Sequence, residues 1–259
     1  MFTISAAELD AWLAGFFYPF VRIAALASSA PLFSHRSIPR PTRLALCVLI
    51  TIVVAPTLAP VPFVSPFSAP GVVLIIQQLL IGVAIGFILQ VVFDALAMGG
   101  QLLANTMGLS FAFNVDPLHG TSAPVVGQFY TLIATLTFLA LDGHLAVVQA
   151  LVDGFTTLPV GMTGLGSEGY WQVVSWGSAL FRGALMVALP GLTALLIVNI
   201  AFGVVSRAAP TLNLFAIGFP VTLIGGLLIM LAGLPAMQSG FVALVRETLG
   251  LVNALMGGG

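Results

Sequence analysis

Charged residues are nearly absent from this chain. Only 6% of its 259 residues are charged, and all seven basic residues are arginines. Since a soluble domain carries roughly a quarter charged residues, and 59% of this chain is hydrophobic, no water-soluble surface can be built from it. The net charge of −1 also leaves no basic footprint for nucleic acid. The composition therefore predicts a polytopic membrane protein.

Cysteine and histidine are also scarce. The single cysteine, Cys47, lies in an apolar run, cannot form an internal disulfide, and is expected to pack as a small hydrophobe. With three histidines, the usual tetrahedral metal site cannot be assembled. Protease and nucleotide-binding signatures are missing, and Ser110 lacks the following glycine that a Ser110–His144 intramembrane protease would need. We expect no catalytic residues, no cofactor and no metal.

Long apolar runs dominate what is present. They predict an all-α membrane protein with about six long hydrophobic helices in bent hairpins, plus short helices. The predicted spans are about 6–32, 44–59, 71–98, 125–141, 173–205 and 212–234. Residues 145–158 are too short to cross alone. We expect Pro190 to kink or break the fifth span, and Pro235 to start a last amphipathic helix.

Small residues within the third span suggest a close helix contact. Gly82 and Gly86 are separated by three residues, a spacing that allows a neighbouring helix to approach closely. The arginine-rich connector 34–43 should be cytoplasmic by the positive-inside rule. If 145–158 does not cross, Arg207 falls on the same side and Arg182 violates the rule; if it crosses, the two exchange sides.

One arginine lies inside the first span. A lipid-facing Arg22 at mid-depth would cost at least ~2.5 kcal/mol, so it should face protein or water. We favour pairing of Arg22 with a carboxylate on another helix over a role in transport.

A polar stripe runs from the end of the third span into the residues that come after it. Successive spacings of four, seven and four residues place its members on one face, provided that the helix continues through Gly99-Gly100. Both a buried hydrogen-bond seam and a hydrated path fit this pattern. The stripe consists of Gln90, Asp94, Gln101 and Asn105.

Residues 99–117 have an unusual composition. They are too rich in Gly, Asn, Ser and Asp to face lipid, and too rich in Met, Leu and Phe for an ordinary water-exposed loop. Backbone that leaves a helix at membrane depth must be buried in protein or line a wet cavity. Either a plugging segment at the mouth of a conduit or a tightly packed loop between helices satisfies this requirement.

Three stretches resemble one known family. They are MGLSFA at 107–112 leading to Asp116-Pro117, LDGHL at 141–145, and RAAPTLNLFAIGFP at 207–220. Together with the layout of the spans, they resemble the flagellar FliR family of type III export-gate subunits over essentially the whole chain. The last stretch is the most specific, since its IGFP ending is similar to the flagellar members rather than to the virulence-secretion subunits.

The resemblance implies a function and partners. FliR-like proteins are single-copy members of the export gate and assemble with FliP and FliQ into a funnel for unfolded flagellar subunits, with the export-switch protein FlhB as a neighbour. It implies a FliP-like part over about 1–170 and a FliQ-like hairpin over about 171–259. It also implies a place in the bacterial inner membrane, in the flagellar basal body, displaced toward the periplasm.

The resemblance also implies that the loop at 99–120 contains a pore plug. The plug covers about residues 106–116. A flexible methionine could reseat around substrates, phenylalanines could close a dry constriction, and Gly108 would allow hinge motion. The plug residues are Met107, Gly108, Leu109, Ser110, Phe111, Phe113, Asn114 and Asp116. The polar intramembrane or subunit contacts are Arg22, Gln90, Asp94, Gln101, Asn105 and Arg207. A stand-alone secondary transporter or channel is the alternative that the residues alone allow.

Overall fold

Helices make up most of the described structure. The computed structural model describes residues 6–35, 37–59, 64–109, 125–161, 164–208 and 214–257, with the side chains of 6–11 and 214–217 left out. Eight α-helices occupy these residues: α1 Ala6–Ser29, α2 Arg40–Val54, α3 Ala69–Thr106, α4 Val125–Ala140, α5 Gly143–Thr157, α6 Ser167–Trp176, α7 Ser178–Ala208 and α8 Leu214–Gly257. A short 3-10 turn, Ala55–Thr57, extends α2.

Five helical segments are long and apolar enough to cross a membrane. They are Trp12–Ser29, Arg40–Thr57, Ala69–Thr106, Ser167–Ala208 and Gly218–Gly257. A sixth span results if α4 and α5, separated by two residues, form one broken span. This confirms the predicted class, an all-α membrane protein with about six long apolar helices.

Glycine and proline do not interrupt three of the helices, so the helix start predicted at Pro235 is wrong, the continuation through Gly99-Gly100 on which the polar stripe depends is confirmed, and a kink at Pro190 stays a prediction. Helix α3 runs through Gly99-Gly100 to Thr106, α7 includes Pro190, and α8 includes Pro235. A proline removes a single backbone donor, and helices at membrane depth tolerate that loss when neighbouring groups satisfy the freed carbonyl. Local sequence signals for a break are therefore weaker here than in water.

The glycine pair in α3 serves packing instead of a break. A Cβ atom on Gly99 would lie 3.0 Å from the Ala184 carbonyl oxygen of α7, and one on Gly100 would lie 2.9 Å from the Val126 carbonyl oxygen of α4. Both helices thus approach the α3 backbone so closely that a larger residue would not fit without a shift.

The chain divides into two compact units. The first comprises Met1–Val91, Leu141–Gly177 and Val245–Gly259, and the second comprises Val92–Ala140 and Ser178–Leu244. Helices α3 and α8 therefore contribute residues to both units. The division near residue 170 into FliP-like and FliQ-like parts concerns likeness to other proteins and stays a prediction.

In the first unit, α1 lies directly on α3. A Cβ atom on Gly82 would collide with the Arg22 carbonyl oxygen and lie 2.7 Å from the Ala25 Cβ. A Cβ atom on Gly86 would collide with the Ser29 hydroxyl. The close approach predicted from the Gly82–Gly86 spacing is confirmed.

In the second unit, Phe93 on α3 connects two other helices. Its ring packs edge-on against Phe138 of α4 at 5.5 Å and against Phe241 of α8 at 5.4 Å between centroids. Such pairs contribute about 0.5–1.5 kcal/mol each beyond the area that they bury. The small residue Gly183 brings α7 onto the same helix, since its Cβ would lie 3.0 Å from the Ala95 Cβ.

The α1–α3 contact predicts the effect of one added methyl group. Gly82→Ala should lower the free energy of unfolding by about 1–3 kcal/mol, because the methyl group would collide with α1 backbone. Gly15→Ala is the matched control, since a Cβ atom there meets nothing within 4 Å and alanine favours the helix by up to ~1 kcal/mol. Melting of the full chain in detergent measures both; equal melting temperatures would contradict the contact.

Candidate functional site

Helix α3 ends in a glycine cap directly before the central stretch. The Gly108 amide donates to the Asn105 carbonyl at 3.1 Å, and the Leu109 amide donates to the Ala104 carbonyl at 3.1 Å. This pair of bonds forms a Schellman motif, which satisfies carbonyls that the helix end leaves open. Gly108 has φ 82°, a left-handed conformation that glycine adopts without steric cost. Gly108 thus terminates the helix; the hinge motion expected of it stays a prediction.

The last turn of α3 is held by α7 and α8. Met107 is 1% exposed, and a Cβ atom on Gly226 of α8 would lie 2.7 Å from its sulfur. The Thr222 hydroxyl lies 3.4 Å from the Met107 carbonyl oxygen, within donating distance. One turn earlier, Leu103 occupies the space that a Cβ atom on Gly191 of α7 would need. Met107 is therefore buried in protein, and Gly226 leaves the space on α8 that its side chain fills.

The described residues cover only the beginning of the predicted plug. Gly108 and Leu109 are half-buried at the end of the cap. The remaining plug candidates lie outside the described residues, so the plug as a whole stays a prediction. These candidates are Ser110, Phe111, Phe113, Asn114 and Asp116.

The predicted polar stripe lies on one continuous helix. Gln90, Asp94 and Gln101 are half-buried and Asn105 is exposed. The Gln101 side-chain amide donates to Asn105 Oδ1 at 3.1 Å, while Gln101 Oε1 is buried and has no hydrogen-bond partner within the described part of the chain. The Gln101–Asn105 bond lies within α3 and is exposed, so both the buried hydrogen-bond seam between helices and the hydrated path stay predictions.

Arg22 is fully buried and connects three helices of the first unit. Its Nε donates to Gln78 Oε1 on α3 at 2.7 Å. Its two terminal nitrogens donate to the carbonyl oxygens of Gly154 at 3.1 Å and Leu158 at 2.9 Å. The guanidinium lies 4.2 Å from the ring centre of Phe155. Among the described residues, Arg22 contacts not the expected carboxylate but an amide side chain and the end of α5.

The end of α5 can replace a carboxylate for a physical reason. The last carbonyls of a helix have no partner within it and carry a partial negative charge. The planar fork of an arginine can reach several such oxygens at once, and the Phe155 ring adds a cation–π contact. Gln78, a polar residue within an apolar span, was the sequence signal that we missed.

Arg207 lies in the last turn of α7 and is exposed. A cation at this position is favoured by the partial negative charge of the helix C-terminus. The structure thus gives Arg207 a local role, while a contact with another subunit stays a prediction.

These observations define the class of protein. The described part is an all-α membrane protein whose polar side chains join helices to one another, and its His, Cys, Asp and Glu residues form no group of three that could hold a metal. The model of the family "Bacterial export proteins, family 1" matches residues 13–248. The chain belongs to this family.

Curated relatives confirm the resemblance read from the sequence. The "Flagellar biosynthetic protein FliR" of Pectobacterium carotovorum subsp. carotovorum is 42% identical over 228 residues, covering 88% of this chain and 87% of the relative. The protein of that name from Escherichia coli K12 is 41% identical over 235 residues, covering 91% and 90%. That of Bacillus subtilis 168 is 27% identical over 209 residues, covering 80% of each.

The partners of Arg22 predict a large effect of its removal. Arg22→Leu should lower the free energy of unfolding by about 2–5 kcal/mol, because the Leu158 carbonyl and the Gln78 side chain would be left buried without a donor. The control is Arg40→Gln, a change at an exposed arginine. Melting of the full chain in detergent measures both, and an Arg22→Leu protein as stable as the control would contradict this role.

Proposed function

We propose that this chain is a structural and gating subunit of the flagellar type III protein export channel. Membership of the export family and the printed name of its relatives support the flagellar role. The observation that carries the gating role is the end of α3, where a glycine cap stops the helix at 106–109 and two neighbouring helices hold its last turn. Residues 110–116, directly after this anchored turn, form the plug in this proposal.

The exposed surface of α7 supports assembly with other subunits. Its buried positions form a narrow stripe of mostly small residues: Ala179, Gly183, Ala184, Ala188, Gly191 and Leu195. From Leu196 to Ala208 no residue is buried, and the large side chains Ile197 and Val204 are each 64% exposed. The small residues, at which helices in lipid pack most closely, are thus already used within the chain, and the exposed surface of large apolar side chains is left for lipid or for helices of other subunits to cover.

We propose that FliP and FliQ supply those helices. The part over about 1–170 would then pack as a FliP-like subunit, the part over about 171–259 as a FliQ-like hairpin, and FlhB would be a neighbour. The complex would lie in the bacterial inner membrane within the flagellar basal body, displaced toward the periplasm. Unfolded flagellar subunits would pass through it, without a catalytic step in this chain.

In the closed gate, Met107 would hold the plug in place. Its side chain fills the space over Gly226. Any movement of the last turn of α3, from which the plug begins, must therefore move this side chain. Methionine suits this position because its three rotatable bonds let it leave and re-enter an apolar seat at little cost. Phe111 and Phe113 would close a dry constriction beyond it.

A stand-alone secondary transporter or channel is the alternative, favoured by the broken pair of helices α4 and α5. It predicts that the purified chain alone transports solute in vesicles. An export-gate subunit would show no such flux and would purify together with FliP and FliQ.

The packing of Met107 over Gly226 predicts that a larger residue at position 226 makes the assembled complex leak. Gly226→Leu should displace Met107 and make the assembled complex conduct small ions, because the added side chain would occupy the space of the methionine. Deletion of residues 108–113 should give a larger leak. Gly225→Leu is the control, since a Cβ atom on Gly225 meets nothing within 4 Å.

Ion conductance across membranes that contain the assembled complex measures these effects. A deletion complex as tight as the intact one would remove the plug role. A leak in Gly225→Leu equal to that in Gly226→Leu would instead show that the seat of Met107 is not what closes the gate.

A further inference from the structure

Helix α5 of the first unit has two sides of different chemistry. Its buried side is apolar and includes Val147, Leu151 and Phe155. The helix is described in full, and its single exposed apolar residue is Leu145, in the first turn. From residue 146 to 157 every exposed side chain is polar. These side chains are Gln149, Asp153, Thr156 and Thr157.

The end of α8 packs on α5 and has an outer side of the same kind. A Cβ atom on Gly154 of α5 would lie 2.8 Å from the Met256 sulfur, so the two helices are in contact. From residue 245 to 257, a stretch that is also described in full, no exposed residue is large and apolar. We call the exposed polar residues of the two helices the polar surface. It consists of Gln149, Asp153, Thr156 and Thr157 on α5 and of Arg246, Glu247 and Asn253 on α8.

Other helices of the same unit have apolar outer sides. On α3, every exposed residue from 71 to 91 is large and apolar, Ile76 and Leu79 among them. On α2, Leu49 is 60% exposed. The sequence contains no charged residue from 44 to 93. The first unit therefore presents polar and apolar outer sides on different helices.

Lipid does not suit the polar surface. Asp153, Arg246 and Glu247 are all exposed on it, and an aspartate or arginine in hydrocarbon costs about 2.5–3.5 kcal/mol. The exposed residues of α3 carry no such cost, because they are apolar. Lipid thus fits the outer sides of α2 and α3 and not the polar surface.

Another subunit does not suit the polar surface either. The cores of protein interfaces are enriched in aromatic residues and methionine and depleted of aspartate and glutamate. The polar surface contains no aromatic residue or methionine, and it includes Asp153 and Glu247. Some of its polar groups are also bonded within α5: the Gln149 amide donates to Asp153 Oδ1 at 2.9 Å, and the Thr156 hydroxyl donates to the Asp153 carbonyl at 2.7 Å. These bonds form without a second chain.

We propose that the polar surface contacts water in the assembled membrane complex, whereas lipid or other subunits contact the outer sides of α2 and α3. Helix α5 is then not the lipid-facing half of a broken span. It packs on the first unit through its apolar side and faces water with its polar side. The inference rests on exposed side chains and not on the plug, so it holds for an export-gate subunit and for a stand-alone transporter alike.

Cysteine labelling tests the proposal, because the chain has a single cysteine and Cys47 is buried. Single cysteines are introduced into a Cys47→Ala chain that is expressed with its native partners. Opened bacterial membranes, in which both faces are accessible, are treated with a charged maleimide that does not cross lipid. Asp153→Cys and Asn253→Cys should react at least roughly tenfold faster than Leu49→Cys and Leu228→Cys, because the reactive thiolate forms in water and not in apolar surroundings.

The four positions form a matched set. All of them are exposed within the chain, so a difference in rate reports on what surrounds the chain in the membrane. Each variant must purify with the same partners as the unchanged chain, and all four should react equally after denaturation. Asp153 and Asn253 lie on different helices, so either variant decides the matter if the other assembles poorly.

Two results would overturn the proposal. The first is an absence of reaction at positions 153 and 253 in the complex together with full reaction after denaturation, which would show that lipid or another subunit covers the polar surface. The second is an equal rate at all four positions, which would show that the chemistry of the outer sides does not determine their surroundings.

Discussion

Hydrocarbon offers no hydrogen bonds, and this constraint determines how the chain is built. Every carbonyl at a helix end and every charged side chain at membrane depth must find its partner within protein. Arg22 meets the requirement by donating to Gln78 and to two carbonyls at the end of α5. Helix α3 meets it through the bonds of the Gly108 cap. Among the described residues, amide and carbonyl oxygens thus accept the hydrogen bonds of the buried Arg22, and no carboxylate takes part. Backbone amides of the cap satisfy the end of α3.

Close packing follows from the same environment. Lipid tails are as apolar as leucine, so burial alone does not drive helices together, and backbones must approach until van der Waals contact is extensive. Glycine makes this approach possible where α1 lies on Gly82 and where Met107 lies over Gly226. Above Gly226 a flexible side chain fills the space, whereas above Gly82 the backbone of α1 fills it. We propose that the flexibility of the Met107 side chain allows the last turn of α3, from which the plug begins, to move.

Sequence reasoning predicted the class, about six long apolar helices and a close helix contact at Gly82 and Gly86, because hydropathy and glycine spacing report directly on lipid exposure and helix approach; it did not identify α1 as the helix in contact. It failed at Pro235, where rules learned from helices in water overestimate the cost of a missing donor, while α7 continues without a break through Pro190, where a kink or a break was expected. It also placed Arg22 correctly in protein but assigned it the wrong partner, since the carbonyls of a helix end carry no signature in the sequence. The plug residues from Ser110 to Asp116 were suggested by composition and by family resemblance.

Membership of the export family indicates that this chain works within the flagellar export apparatus, and we propose that its partners there, which can cover the exposed apolar surfaces of α7 and α8, include FliP and FliQ. Each of the two corresponding spans contains an 18-residue apolar segment of which only 17% is buried within the chain. The most direct test is the native mass of the particle that a tagged copy of the chain brings out of bacterial membranes. We expect a single stable species far heavier than 26.8 kDa that contains other export subunits. A functional particle with the mass of one chain alone would contradict the account.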